Sequence, residues 1–206
     1  MFSKADAKVQ LLFETAKQIY NFLHKHDDFL RKKQYLCSKN KKYMMKSGKH
    51  TVLFICLGNI CRSPAAEGIM KSLVEKEGMS DDFFIDSAAI GSWHIGQLPD
   101  SRMRKCGAEH GYRFDSHARQ FQKSDFQRFD LIVVMDNENY RAITSMASSQ
   151  ADKDKVVRIA DYLTHHREYT TVPDPYYGDY SDFELVIELL EDACQGLLDS
   201  IKEQNS

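Results

Sequence analysis

Cys56 and Arg62 enclose the segment Leu57-Gly58-Asn59-Ile60-Cys61, and Ser63-Pro64 follows directly. These residue types at this spacing suit the capture of an oxyanion. A guanidinium binds two phosphate oxygens at once with its planar fork. Gly58 and Asn59 tolerate the left-handed backbone angles that a tight cradle of N–H groups requires. Ser63-Pro64 opens a helix, so unpaired amides and the positive end of a helix dipole face the loop. Ordinary cysteine titrates near ~8.5, and electropositive surroundings of this kind lower that to roughly 3.5–7.5. Ser63 is placed to donate a hydrogen bond to the sulfur. Donors that hold a phosphate dianion also hold the trigonal bipyramidal transition state, whose equatorial charge needs fixed partners. Alone, a C-x5-R pairing is more often a buried cysteine beside a helix cap. A zinc site at Cys56 and Cys61 lacks a second ligand pair at usable spacing.

Attack by a thiolate leaves an anion that must be protonated, which calls for an acid on another loop. Val172-Pro173-Asp174-Pro175-Tyr176-Tyr177-Gly178-Asp179 supplies the strongest candidate in Asp174. Two prolines hold that aspartate in extended backbone. The adjacent tyrosines are suited to wall a slot for a flat ring. Taken alone, the segment also reads as an ordinary surface turn.

The elements around these residues alternate. Thr51–Ile55 is a β-branched, apolar run that predicts a strand buried on both faces. Phe83–Ser87, Asp130–Met135 and Val156–Ile159 predict three more strands. Helices are expected from Ser63-Pro64, over Pro99–His110, over Asn137–Met146, and over Asp182–Lys202. The last carries Phe183, Val186, Ile187, Leu190, Cys194, Leu197, Leu198 and Ile201 on one stripe. The fold expected is α/β: a four-stranded parallel sheet with helices on both faces, three layers in all, like flavodoxin. Ligands of such sheets sit beyond the carboxyl ends of the strands, and the loop after Ile55 lies there.

The front of the chain differs. Residues 1–50 hold 12 Lys/Arg against 4 Asp/Glu, whereas residues 51–206 hold 16 against 26. Apolar spacing predicts a helix through Val9–Leu23, a second short helix over Asp27–Leu36, and a basic linker from Ser38 to Gly48. The chain thus divides into a basic, partly helical N-terminal extension (1–48) and a domain spanning 49–206. Two readings of the extension stand. Translation starts at Met44 or Met45, or the helical arm is real and docks on the acidic body, an anionic surface or a partner. No apolar run reaches the ~20 residues that span a bilayer. Five cysteines, at 37, 56, 61, 106 and 194, form no disulfide framework and point to reduced thiols in a cytoplasm.

From about His50 onward the chain resembles the low-molecular-weight protein tyrosine phosphatase family. Val-Leu-Phe-Ile-Cys-Leu-Gly-Asn-Ile-Cys-Arg-Ser-Pro-Ala-Ala-Glu matches its signature. Asp86-Ser87 with Trp93-His94-Ile95-Gly96, His117-Ala118-Arg119-Gln120, Val134-Met135-Asp136 and Asp174-Pro175-Tyr176-Tyr177-Gly178 follow in the family's order. The resemblance implies hydrolysis of phosphotyrosine in protein substrates through a cysteinyl-phosphate, without metal, cofactor or nucleic acid. It implies that Cys56 is the nucleophile, Arg62 the phosphate ligand and Asp174 the general acid and base. Gly58, Asn59 and Ser63 would shape the loop, and Leu57, Ile60, Trp93, Tyr176 and Tyr177 would line the slot for the ring. Cys61 would protect Cys56 as a reversible disulfide. Arsenate reductases of similar fold need cysteines after the third strand, absent over Asp136–Met146. The family's arginine phosphatases carry Thr where this chain has Ile60.

Overall fold

The computed structural model of the protein describes residues 48–203. The two N-terminal helices expected from the sequence lie outside the described residues. Strands form where β-branched and apolar residues run together: β1 (His50–Cys56), β2 (Phe83–Ala89), β3 (Leu131–Val134) and β4 (Val156–Arg158). They pair in the order β2-β1-β3-β4, all parallel. The helices are α1 (Arg62–Lys76), α2 (Ser101–Glu109), α3 (Asp125–Arg128), α4 (Asn137–Met146), α5 (Gln150–Asp154) and α6 (Tyr180–Glu203).

Strand periodicity of two sorts the core into two layers. Val52, Phe54 and Cys56 join Phe83, Ile85, Leu131 and Val133 in one cluster, which α1 and α6 cover with Ile69, Met70, Val186, Ile187 and Leu190. Leu53 and Ile55 join Ala88, Ile132, Val134 and Val156 in the other, covered by Phe121, Phe126, Phe129 and Ile143. Burial on both faces is why the β1 sequence is an unbroken apolar run. Each fully buried side chain of this size contributes about 1.5–3 kcal/mol.

The chain leaves β1 for β2 on one side of the sheet and then crosses to β3 on the other. That reversal opens a crevice at the carboxyl end of β1. Register brings the ends level: Ile55 lies beside Ala88 on one side and Val134 on the other. The loops after Cys56, Ala89 and Val134 therefore leave one edge together. Helices cover both faces, as expected. The four-residue α3 and five-residue α5 were not foreseen, because neither is long enough to show a helical period. Helix α6 starts at Tyr180, two residues before the expected Asp182, because the Asp179 carboxylate accepts from the Ser181 amide at 2.8 Å. No described helix is long and apolar enough to cross a membrane.

Cys194 is fully buried on the α6 stripe, as its position suggested. Beside it Gly196 lets the helix approach the turn at Tyr162 closely. A Cβ at Gly196 would lie 2.1 Å from the Tyr162 carbonyl oxygen, a backbone atom that cannot swing aside. Alanine is the better helix former by about 1 kcal/mol, whereas forcing an extra carbon into packed structure costs about 1–3 kcal/mol. Gly196→Ala is therefore expected to destabilise the protein, seen as a lower urea midpoint with an unchanged m-value. A midpoint equal to or above wild type would show that α6 does not seat as closely as described.

Candidate active site

The loop from Cys56 to Arg62 begins where β1 ends and closes where α1 begins. Its first residues are pinned by continuation of the β1–β2 ladder: Ile90 N–H donates to Cys56 O at 3.0 Å, and Gly91 N–H to Leu57 O at 2.9 Å. Asn59 has φ 55°, the one positive value at a non-glycine residue among the described residues. Asn reaches this region at modest cost. Gly58, expected to share the left-handed backbone, does not. Its missing side chain serves packing instead, since a Cβ there would meet His94 Cδ2 at 3.2 Å. The far side of the loop is held by Asp100, whose amide donates to Ile60 O at 2.7 Å.

Asn59 organises the sulfur's surroundings. Its main-chain N–H donates to Cys56 Sγ at 3.2 Å. Its Nδ2 donates to Ser63 Oγ at 2.9 Å and to Ser87 Oγ at 2.8 Å, using both amide hydrogens. Its Oδ1 accepts from Arg119 N–H at 3.0 Å. Because Ser63 Oγ accepts from Asn59, its own hydrogen is directed to Cys56 Sγ at 3.1 Å or to Ala88 O at 3.5 Å. Ser87 Oγ in turn donates to the buried carboxylate of Glu67 at 2.6 Å, and Glu67 pairs with Lys71. A chain of hydrogen bonds thus runs from the buried Glu67 carboxylate through Ser87 and Asn59 to Ser63 beside the nucleophile candidate.

Arg62, 3% exposed, is held through two of its three nitrogens. NH1 donates to Asp136 Oδ2 at 2.7 Å and to Val172 O at 3.3 Å, and NH2 donates to Asp174 Oδ2 at 2.5 Å. Its Nε–H is buried with no partner among the described residues. Burial alone would lower the guanidinium's pKa, but Cys56, Asp174 and Asp136 outweigh it and the net direction is upward. A fixed cation with an unused buried donor beside a thiol suits an anion. Asp136 caps α4 through Oδ1, which accepts from Asn139 N–H at 2.7 Å, so a helix terminus positions it. Asp174 lies on the loop joined to the end of β3 by Val172 N–H to Met135 O at 2.9 Å. Its side chain is 41% exposed, and Oδ1 accepts from Tyr176 N–H at 3.2 Å.

These groups meet in a cleft of about 330 Å³ lined by Cys56, Leu57, Gly58, Ile60, Cys61, Arg62, Trp93, His94, Asp174, Tyr176 and Tyr177. Asn59 and Ser63 lie beneath it as buried supports. The floor is buried and polar. The mouth is aromatic, with Trp93 at 68% and Tyr177 at 97% exposure. Tyr176 and Tyr177 meet edge-on with centroids 4.9 Å apart. The floor offers donors of the kind a phosphate takes, and the mouth offers faces of the kind a flat ring packs against. Burial, then nearby Asp100, Cys56 and Asp174, push the Cys61 thiol upward, so it stays protonated.

Sequence reasoning had assigned a place in the site to every one of the cleft's lining residues except His94, which it named only within the motif Trp93-His94-Ile95-Gly96. It gave no role to the supports Asp136, Ser87 and Glu67, which it named only within motifs. Asp136 did carry a signal, an aspartate at the helix-capping position just past a buried strand. Ser87 and Glu67, quoted only within motifs, carried no signal of their pairing, since their partners lie 20 to 28 residues away in sequence.

Comparison with known proteins identifies the family. The family model described as low molecular weight phosphotyrosine protein phosphatase matches residues 51–206. The chain is 42% identical over 156 residues to the low molecular weight protein-tyrosine-phosphatase of Streptomyces coelicolor, covering 75% of this chain and 95% of that one. The crystal structure of protein tyrosine phosphatase from Entamoeba histolytica with Hepes in its active site superposes with a TM-score of 0.74 at 43% identity, covering 77% of this chain and all of that one. A Drosophila arginine phosphatase superposes with a TM-score of 0.69 at 32% identity, covering 73% of this chain and 97% of that one.

An anion site built on Arg62 has a direct consequence for stability. Inorganic phosphate at a hundred times its Kd should stabilise the wild type by about 2.7 kcal/mol, read as a rise in Tm. Arg62→Lys should lose most of that rise, because an ammonium does not reproduce the fork. A wild-type Tm indifferent to phosphate would remove the site from consideration.

Proposed function

The chain belongs to the low molecular weight phosphotyrosine protein phosphatase family, and on that premise we propose that it hydrolyses phosphotyrosine in protein substrates with Cys56 as nucleophile. One observation carries the assignment of roles. The Cys56 sulfur, which accepts from the Asn59 amide, shares a cleft with the open donor of Arg62 and with the Asp174 carboxylate.

The phosphate dianion takes the loop amides and the fork of Arg62. In doing so it displaces Asp174 from that guanidinium, and the carboxylate, having taken a proton from solvent, faces the leaving-group oxygen. A sulfur lone pair forms the S–P bond while the P–O bond to the ring breaks. The electron pair goes to the phenolate oxygen, which takes a proton from Asp174. Ser63 and Asn59 orient the sulfur for attack and later receive it as leaving group. Water then attacks phosphorus, Asp174 accepts the water's proton, the S–P bond breaks, and inorganic phosphate departs. Charge on the three equatorial oxygens meets donors already in place, so little reorganisation accompanies the step.

Selectivity follows from depth. Cys56 lies at the floor behind a mouth made of Leu57, Ile60, Trp93, Tyr176 and Tyr177, which offers an aromatic ester more contact than the short chains of phosphoserine or phosphothreonine. Ile60, apolar and 8% exposed, gives no acceptor for the charged N–H groups of a phosphorylated guanidine. Cys61 lines the same cleft. When peroxide converts the Cys56 thiolate to a sulfenic acid, the Cys61 thiol condenses with it, releasing water and forming a disulfide that external thiol reduces. A reducing, cytoplasmic setting suits Cys56, Cys61, Cys106 and Cys194, all of them free thiols.

Cys56→Ser should abolish turnover of every substrate in a panel of phosphotyrosine, phosphoserine, phosphothreonine and phosphoarginine, and wild type should prefer the first. Asp174→Asn should lower kcat/KM for poor leaving groups by about 10²–10⁴. Preference for phosphoarginine would overturn the substrate assignment, and full activity of Asp174→Asn would overturn that of the acid. After a peroxide pulse, Cys61→Ser should recover activity with thiol more slowly and less completely than wild type. Equal recovery of the two proteins would refute the protective disulfide.

A further inference from the structure

Arg102 touches both halves of the cleft. It sits in the first turn of α2, and its amide, Nε and NH2 all donate to the Asp100 carboxylate, at 2.8, 3.0 and 2.9 Å. Asp100 is the residue whose own amide holds Ile60 O at 2.7 Å, so this end of the clasp is fixed to the phosphate-binding loop. The second hydrogen of NH2 goes to Tyr176 O at 3.0 Å. The guanidinium carbon also lies 5.6 Å from the centroid of the Tyr176 ring and 4.6 Å from that of Phe183 at the start of α6. Tyr176 N–H, on the other side of the same residue, donates to Asp174 Oδ1 at 3.2 Å. Residue 176 is therefore held by its carbonyl and ring while its amide holds the carboxylate.

We infer that Arg102 is a positioning residue that sets the place of Asp174 over the phosphate-binding loop, through Asp100 on one side and Tyr176 on the other. The inference rests on the reading of Asp174 as general acid and adds the device that registers it. The need for such a device is physical. Asp174 is held mainly by Arg62, and an incoming phosphate dianion takes that guanidinium away. The Tyr176 amide then becomes the carboxyl group's remaining fixed partner, and Arg102 fixes Tyr176. Misplacement by an ångström is enough to cost a proton-transfer step much of its rate. Arginine suits the task because one planar group fills a carboxylate fork, reaches a carbonyl and stacks between two rings, and lysine does not combine these contacts.

A loss of acid positioning is distinguishable from a general loss of structure by the leaving group. For wild type, kcat/KM should differ modestly between 4-nitrophenyl phosphate, whose phenolate departs unaided, and phenyl phosphate, whose phenolate needs the proton. Arg102→Ala should lower kcat/KM for phenyl phosphate by about 10–100-fold and affect the nitrophenyl ester far less. Arg102→Lys should fall between Ala and wild type, and it carries the same comparison if the alanine variant folds poorly. In an Asp174→Asn background, Arg102→Ala should add little further leaving-group dependence, because both changes remove one function. An equal loss on the two esters, or a fully additive loss in the double variant, overturns the inference. If Asp174→Asn itself shows no leaving-group dependence, the acid assignment fails first, and the strap has nothing to position.

Discussion

A buried guanidinium with one donor unused sets the conditions for the rest of this structure. Leaving a buried donor unsatisfied costs about 1–3 kcal/mol, and an uncompensated buried charge costs far more. Arg62 persists at 3% exposure because Asp136, Asp174 and the Val172 carbonyl share its charge. All three acceptors reach it from the carboxyl side of β3, either directly or through the loop bonded to Met135. They do so because β3 is the immediate parallel neighbour of β1. Strand order, not loop sequence alone, decides that the cation is tolerated. The unused Nε–H then acts as a standing bias towards any anion that fits.

The second half of the site depends on β1's other neighbour. Ser87 on β2 receives one hydrogen of the Asn59 amide and passes its own to Glu67 on α1. Three elements are thus joined by one polar thread inside an otherwise apolar layer. Buried polar networks of this type specify a conformation more than they stabilise it, because each member is costly if its partner is lost. Asn59 uses its amide, both side-chain hydrogens and its carbonyl at once, and its left-handed backbone aims them. The loop's shape and the sulfur's hydrogen bonds are consequently one property.

The sequence disclosed the parts of this site that are local. An apolar strand, a C-x5-R loop and a Ser-Pro helix start lie within about a dozen positions, and their joint pattern named Cys56, Arg62 and the cradle. Asp174 could be read from the proline-framed loop because rigid backbone and paired tyrosines advertise themselves. Contacts made across the chain were not legible. Asp136 meets Arg62 over 74 residues, and Arg102 meets Tyr176 over the same separation. No spacing rule relates such pairs before the sheet order is known. Gly58 shows a subtler limit: glycine marks either unusual backbone or close approach, and only coordinates reveal that here it is the approach of His94.

Burial divides the cleft into two materials. Cys56, Asn59, Ile60, Cys61, Arg62 and Ser63 are all 8% exposed or less, whereas Asp174 and the paired tyrosines stand at the surface. The division matches what each part must do. Donors that meet charge developing in a transition state are effective only if they need not move, so they belong on a packed floor between a strand and a helix. A wall that admits a ring on a protein surface and releases its phenol must yield, so it belongs on a loop. A yielding wall that also carries the proposed acid creates a conflict between access and aim. The half-buried Arg102, anchored to the floor through Asp100 and to the wall through Tyr176, is where the structure reconciles them.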